Sequence, residues 1–302
     1  MDRSFFREHA SGPVVSINTP FTREGEVDFG GIRSFVDRVI DAGSKTVLLT
    51  PGDSLYVVLG DDEVAEITRV VAEHVAGRAM FIAAADSWWT GKTVEYARHA
   101  RKVGADATIV RPPIRGTTPD DLVRYYAAVS AELPVWVLSG SLSALGVSGA
   151  VECVKRLRDE VSGVVGLKED YCPQFARRAC LEVYGRWAVF SGGQKQTHMD
   201  MLPYGCDGYM SIFMVFKPEV SHAYWAAVES EDLKAATAII RDFDMPMFHH
   251  LYTRYAAGGD AGQHALMEIA GISGRWRRDP LPDLSDDEVE ELAGFLDGLP
   301  ES

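Results

Sequence analysis

The sequence holds little of what would mark a disulfide-stapled, membrane-bound or nucleic-acid-binding protein. Its four cysteines, Cys153, Cys172, Cys180 and Cys206, form no CxxC pair, so neither a disulfide framework nor a cysteine zinc site is indicated. No stretch reaches the roughly 18 apolar residues of a membrane span, and the opening MDRSFFREHASGP has no apolar run of the signal-peptide kind. These deficits predict a cytoplasmic protein with no membrane partner. Positive charge is also scarce: 30 Lys and Arg face 44 Asp and Glu, for a formal net charge of −14. Phosphate backbones are held by clustered cations, so nucleic acid is not expected as a partner. Small anions need few local groups and stay open. The motifs HxxxH and HExxH are missing, and the adjacent His249 and His250 would point apart on a helix. No metal and no cofactor are expected.

What is present is a repeated alternation. Short apolar runs at Val14–Asn18, Thr46–Thr50, Ala79–Ala85, Ala107–Arg111, Pro134–Ser139, Val164–Lys168, Trp187–Ser191 and Gly208–Ile212 are apolar on consecutive residues. Strands buried on both faces read this way. Helix spacing lies between them: Ile32, Phe35, Val36, Val39 and Ile40 follow the N-cap candidate Asp28. Thr118-Pro119-Asp120-Asp121 opens another helix. Gly43, Gly104 and Gly205 each stand where a helix should stop before the next run. Eight such units without a polar linker predict an α/β fold, a (β/α)8 TIM barrel over residues 1–215. From Lys217 the strand pattern stops, and Pro218–Ser230, Asp232–Asp242, Ala261–Ala270 and Ser285–Leu296 read as helices. The last opens with the capping box Ser285-x-x-Glu288. Residues 216–302 are thus expected to be a C-terminal helical extension packed on the barrel.

Barrel chemistry sits at the C-terminal ends of the strands. Among the residues there, Lys168 follows the apolar Val164-Val165-Gly166-Leu167. A partly desolvated lysine there is a candidate nucleophile, because a neutral amine attacks a ketone to give an imine that serves as an electron sink. The competing reading is a structural lysine paired with Glu169 or Asp170. Arg111 is a candidate for bidentate carboxylate binding, or else one half of a surface salt bridge. Ser139 and Ser141 end the fifth run, and Asp53 is an acid or a turn cap. Gly192-Gly193 and Gly208 occupy places where other barrels bind phosphate through backbone amides, the mark of a sugar-phosphate isomerase or aldolase. Trp88 and Trp89 would wall a substrate pocket or pack on a neighbouring subunit.

Several segments, in order, resemble the dihydrodipicolinate synthase / N-acetylneuraminate lyase superfamily of Schiff-base aldolases over about residues 12–300. They are Pro20-Phe21 with Gly25-x-Val27-Asp28, Thr50-x-Gly52-Asp53-Ser54, Gly166-Leu167-Lys168-Glu169, Ser191-Gly192-Gly193 and Gly205-x-x-Gly208-x-x-Ser211. The resemblance implies that Lys168 forms an imine with pyruvate or another 2-oxo acid. It implies that Thr50, Gly52, Asp53 and Ser54 line the carboxylate pocket, with Gly192 and Gly193 in a tight loop beside it. It also implies a homo-oligomer, dimer or tetramer.

Departures from the family pattern narrow this. Pro51 has no N–H to donate where the family uses an amide. The tyrosine of strand five is matched by Leu138, the tyrosine after strand four falls near Pro113 or Ile114, and an arginine after strand five becomes Ser143 or a neighbour. Of the family's proton relay only Thr50 survives, so an active enzyme needs another proton donor, for which Ser139, Ser141, Tyr56, Tyr171 and Asp53 are candidates. The expectation is a class I lyase, aldolase or dehydratase, acting on a 2-oxo acid through Lys168 and Thr50, with Gly52, Asp53, Ser54, Arg111, Ser139, Gly192 and Gly193 binding substrate. The rival is an inactive family member that binds a 2-oxo acid or related metabolite as a regulator.

Overall fold

The computed structural model describes residues 3–113, 115 and 117–301; Ile114, one of the two positions matched to a family tyrosine, lies outside them. Eight parallel strands form one closed barrel in sequence order: β1 (Gly12–Ser16), β2 (Thr46–Leu48), β3 (Met80–Ala85), β4 (Ala107–Val110), β5 (Val135–Leu138), β6 (Val164–Glu169), β7 (Ala188–Ser191) and β8 (Gly208–Met210). Closure is made by β8 pairing with β1, Gly12 opposite Gly208. Each strand falls within, or no more than two residues outside, an apolar run predicted from the sequence, because a strand under a helical layer must be apolar on both faces.

One helix, α1 (Arg3–Ala10), precedes the barrel, and seven surround it: α2 (Phe29–Asp41), α3 (Asp61–Val75), α4 (Thr90–Val103), α5 (Pro119–Ser130), α6 (Gly146–Glu160), α7 (Pro173–Val183) and α8 (Gln194–Met201). The expected caps are present. Asp28 accepts from Gly31 N at the start of α2, and Thr118 forms a capping box with Asp121 ahead of α5. Gly104 closes α4 with φ +107°, a left-handed conformation that costs glycine nothing. The sequence reading had no element at α1. Phe6 and Ala10 are buried beneath the barrel, and the Arg7 guanidinium holds Asp207 at 2.9 Å. An eight-residue helix carrying so few apolar positions is stabilised by its docking rather than by its own pattern.

After β8 come α9 (Phe213–Phe216), α10 (Pro218–Glu229), α11 (Leu233–Ile239), α12 (Met245–Thr253), α13 (Gly259–Ile269) and α14 (Asp286–Asp297). Ser285 caps α14 through the expected box with Glu288. The helix expected to stop at Asp242 instead runs on through a π-helical turn, Ile240–Asp244, into α12. Pro246 lacks an N–H and would crowd the preceding turn of a regular helix; the wider π turn relieves that crowding and lets the chain continue. These helices have their own apolar core, which includes Phe213, Phe243, Met247, Leu251 and Leu266. No helix among the described residues is long and apolar enough to cross a membrane.

Candidate active site

Strand β6 sets the site. Side chains alternate along a strand, so Gly166 and Lys168 share one face and Glu169 takes the other. A Cβ at Gly166 would overlap the Trp136 indole. Trp136 packs on Phe190 at 4.9 Å between ring centroids, and in the register Lys168 stands between Leu138 and Phe190. The missing side chain at 166 thus lets an aromatic floor form directly beneath Lys168. The lysine is 7% exposed, and it opens into a cavity of about 350 Å³ at the C-terminal mouth of the barrel.

The Lys168 ammonium does have the partner that the structural reading offered. Its Nζ donates to both carboxylate oxygens of Asp170, at 2.7 and 2.6 Å. Asp170 is held in turn: its backbone N–H donates to Ser139 Oγ at 2.7 Å. Ser139 is fully buried, so its hydroxyl positions the loop after β6 and does not line the cavity. Gly192 and Gly193 do line it. Their amides are engaged elsewhere, Gly192 N with Glu169 O at 2.9 Å and Gly193 N with Ser191 Oγ at 3.2 Å. Their contribution is therefore space rather than donated hydrogen bonds.

The Thr50–Ser54 loop is largely self-satisfied. Ser54 Oγ accepts from Thr50 N at 3.1 Å and donates to Ile17 O at 2.7 Å. Thr50 Oγ1 lies 3.2 Å from Ser16 Oγ, donates to Asp53 Oδ2 and accepts from Asp53 N, both at 3.1 Å. Of this loop Asp53 lines the cavity, while Thr50, Gly52 and Ser54 do not. With Pro51 lacking a donor, the loop offers the cavity an acid rather than a carboxylate clamp. Arg111 likewise stands away from the cavity. It is half-exposed, with its guanidinium 3.7 Å from Asp86, the surface pairing that was its alternative reading.

Other candidates also resolve into packing roles. Trp88 lies edge-on to Tyr96 with the Lys92 ammonium over its ring, and Trp89 is exposed; neither lines the cavity. Tyr171 directs its hydroxyl to Ser143 O at 3.4 Å. Tyr56 is buried, which pushes its phenol well above the ordinary range. Ser141 Oγ bonds back to Leu138 O at 2.5 Å. His250 bonds Tyr255 and stacks on Phe295. Among the described residues no group of three or more His, Cys, Asp or Glu could hold a metal ion.

Sequence reasoning gave no role to several lining residues, although Asn18, Gln194 and Ser211 stand at predicted strand ends. Ser16 and Asn18 flank the end of β1, Gln194, Gln196 and Thr197 come from the start of α8, and Ser211 follows β8. Phe248, Tyr252 and Gln263 reach in from α12 and α13. Asp170 carried a usable signal, a carboxylate two residues beyond the lysine. The aromatic residues carried none, since residues so far beyond the last strand come to the mouth only through the fold of the extension.

Two buried acids are perturbed. Glu169 lies on the outer face of β6 and accepts from Tyr171 N and Cys172 N at 2.9 and 3.1 Å. Burial first, with the nearby Asp170 charge adding, pushes its carboxyl up to about 7. Asp244, in the π turn, meets Lys195 Nζ at 2.6 Å with both side chains wholly buried. Burial raises the carboxyl and lowers the ammonium, and the mutual attraction opposes both shifts.

A parallel barrel with a buried lysine at the end of its sixth strand, open to a polar cavity, has the parts of a Schiff-base enzyme. The chain belongs to the dihydrodipicolinate synthetase family, whose model matches residues 9–298. It is 27% identical over 298 residues to the protein named "probable 5-dehydro-4-deoxyglucarate dehydratase 1" of Streptomyces coelicolor, covering 95% of this chain and 92% of that one. It is 30% identical over 234 residues to the 4-hydroxy-tetrahydrodipicolinate synthase of Methylibium petroleiphilum, covering 76% and 78%. Among solved structures, the dihydrodipicolinate synthase of Oceanobacillus iheyensis superposes with a TM-score of 0.83 at 21% identity, covering 98% of this chain and 99% of that one. The protein is a carbon–carbon or carbon–oxygen lyase of the Schiff-base aldolase type.

Proposed function

We propose that the protein cleaves or dehydrates a hydroxylated 2-oxo acid through an imine at Lys168. The observation that carries this is the placement of the Lys168 amine, nearly buried on an aromatic floor yet open to the cavity. An iminium at that place withdraws electrons from the adjacent carbon and so stabilises the carbanion that either reaction needs.

The rest of the lining argues for the substrate class. Among the described residues Lys168 is the one basic side chain lining the cavity, alongside the acids Asp53 and Asp170. A condensation whose second substrate is itself an anion would find no counter-charge there. Carboxamides of Asn18, Gln194, Gln196 and Gln263 and hydroxyls of Ser16, Thr197 and Ser211 suit a hydroxylated chain. A reaction of one substrate molecule therefore fits better than a joining of two. Thr50 stands one hydrogen bond behind the cavity, linked to Ser16 and Asp53. The expected assembly is a homo-oligomer, dimer or tetramer, and the expected compartment is the cytoplasm.

The test is borohydride reduction with a panel of 2-oxo acids, pyruvate included, read by intact mass and peptide mapping. A stable adduct on the peptide carrying Lys168, absent in Lys168→Ala, is expected. No adduct with any acid, from folded protein, favours the non-catalytic binding protein instead.

A further inference from the structure

We propose that Asp170 is the acid–base catalyst of imine formation, doing from the β6 loop the proton transfers for which strand five, with Leu138, carries no tyrosine. The inference rests on the Lys168 reading and assigns the proton's path within it.

The geometry carries it. Both Asp170 oxygens lie within hydrogen-bond distance of Lys168 Nζ, the reacting atom, at 2.7 and 2.6 Å. The Asp170 carboxylate is open on its other side: its side chain is 28% exposed and lines the cavity. It is also fixed from behind, because its own amide is tied to the buried Ser139 hydroxyl. The candidates drawn from the sequence are engaged with other partners. Asp53 is bonded to Thr50, Glu169 is turned to the opposite face of β6 toward the start of α7, and the Tyr171 hydroxyl is directed to Ser143. Leu138, at the strand-five position, has no proton to give. Gly192 adds an independent sign that the pair is accommodated by design of the loop. A Cβ there would overlap Asp170 Oδ1 and stand 2.8 Å from Lys168 Nζ.

The steps balance around one shuttled proton. The lysine ammonium gives a proton to the Asp170 carboxylate, leaving a neutral amine beside a carboxylic acid. The nitrogen lone pair attacks the keto carbon, the C=O π pair moves to oxygen, and Asp170 protonates that oxygen. Asp170 then takes one of the two remaining protons from nitrogen, giving the neutral carbinolamine and again a carboxylic acid. Finally Asp170 protonates the hydroxyl, the C–O bond breaks, water departs, and the nitrogen lone pair forms the C=N bond. The product is an iminium with one N–H, facing an Asp170 carboxylate. No oxidant or co-reactant is needed.

The experiment compares wild type, Asp170→Asn and Asp170→Ala with the 2-oxo acid that traps best on wild type. Imine formation is followed in single turnover by quenching into borohydride. General acid–base transfer contributes about 10²–10⁴-fold, so Asp170→Asn, isosteric and foldable, should trap at least 100-fold more slowly. Its affinity for the corresponding 2-hydroxy acid, which cannot form an imine, should stay within threefold. Added formate or acetate should speed trapping by Asp170→Ala, where a small acid can enter, and not by Asp170→Asn. Trapping by Asp170→Asn at the wild-type rate, with the wild type itself labelled at Lys168, overturns this inference and leaves the Lys168 reading standing. Absence of any wild-type adduct overturns both.

Discussion

Gly192 and Asp170 are in such close register that a single added carbon at 192 would overlap the Asp170 carboxylate. The glycine sits just past β7, and its amide is already bonded to Glu169 O, so the backbone cannot retreat without giving up that bond. Gly192→Ala should therefore break the Lys168–Asp170 contact while leaving the barrel intact. We expect kcat/KM to fall about 100-fold or more, the scale of a roughly 1 Å misplacement of reacting groups. Far-ultraviolet circular dichroism should be unchanged. Wild-type kinetics in this variant would mean that the pair is not required in the arrangement seen.

The barrel was legible in the sequence, and the site only in part, for one physical reason. Strand and helix periodicity is a local property, written in neighbouring residues. Val164–Leu167 and Ile32–Ile40 carry it without help from the rest of the chain. Lys168 was legible because a lone charge at the end of an apolar run is a local anomaly. Which way a side chain at a strand end turns is not local. Arg111 and Lys168 look alike in the sequence, each a base closing an apolar strand. The structure turns Arg111 to Asp86 at the rim and Lys168 into the cavity. Ser54 and Thr50 fit a substrate loop by motif, but their hydrogen bonds close on the neighbouring Asp53 and on Ile17 and Ser16, which only folding brings near. The far wall, Phe248 and Tyr252, depends on a π turn that no periodicity announces.

Glu169 makes stability depend on pH in a specific window. Its carboxyl ionises near 4.5 when exposed and near 7 in the fold, chiefly because burial penalises the charge. A raised folded value means that the acid is stabilising in full below about 4.5. That contribution is lost as pH rises to about 7, where the fold must also ionise it. At about 1.4 kcal/mol per pH unit the effect is at most about 3 kcal/mol. Glu169→Gln keeps an oxygen for Tyr171 N and Cys172 N and removes the titration. Denaturant unfolding at several pH values should show the variant gaining on wild type between pH 4.5 and 7, by about 1–3 kcal/mol, and level above that. A difference independent of pH would mean that Glu169 ionises as an ordinary surface acid.

The Lys195–Asp244 pair ties the extension to the barrel mouth and thereby places the aromatic wall. Lys195 follows Gln194 at the start of α8, and Asp244 accepts both its ammonium, at 2.6 Å, and its backbone N–H, at 3.2 Å. Phe248 and Tyr252 follow Asp244 at intervals of four residues, so all three lie along one face of the helix. Both aromatic residues line the cavity. A charge buried with its partner removed is costly, about 3–5 kcal/mol, whereas a matched apolar replacement of both partners is often neutral. Asp244→Asn should therefore lower unfolding stability by about 3–5 kcal/mol. Lys195→Met with Asp244→Leu should recover most of that loss. If the pair also sets the wall, the double variant, though stable, should raise KM more than it lowers kcat, because Asp244 no longer anchors the turn ahead of Phe248. A double variant with wild-type KM would reduce the pair to a structural link, with the wall held by the packing of α12 alone.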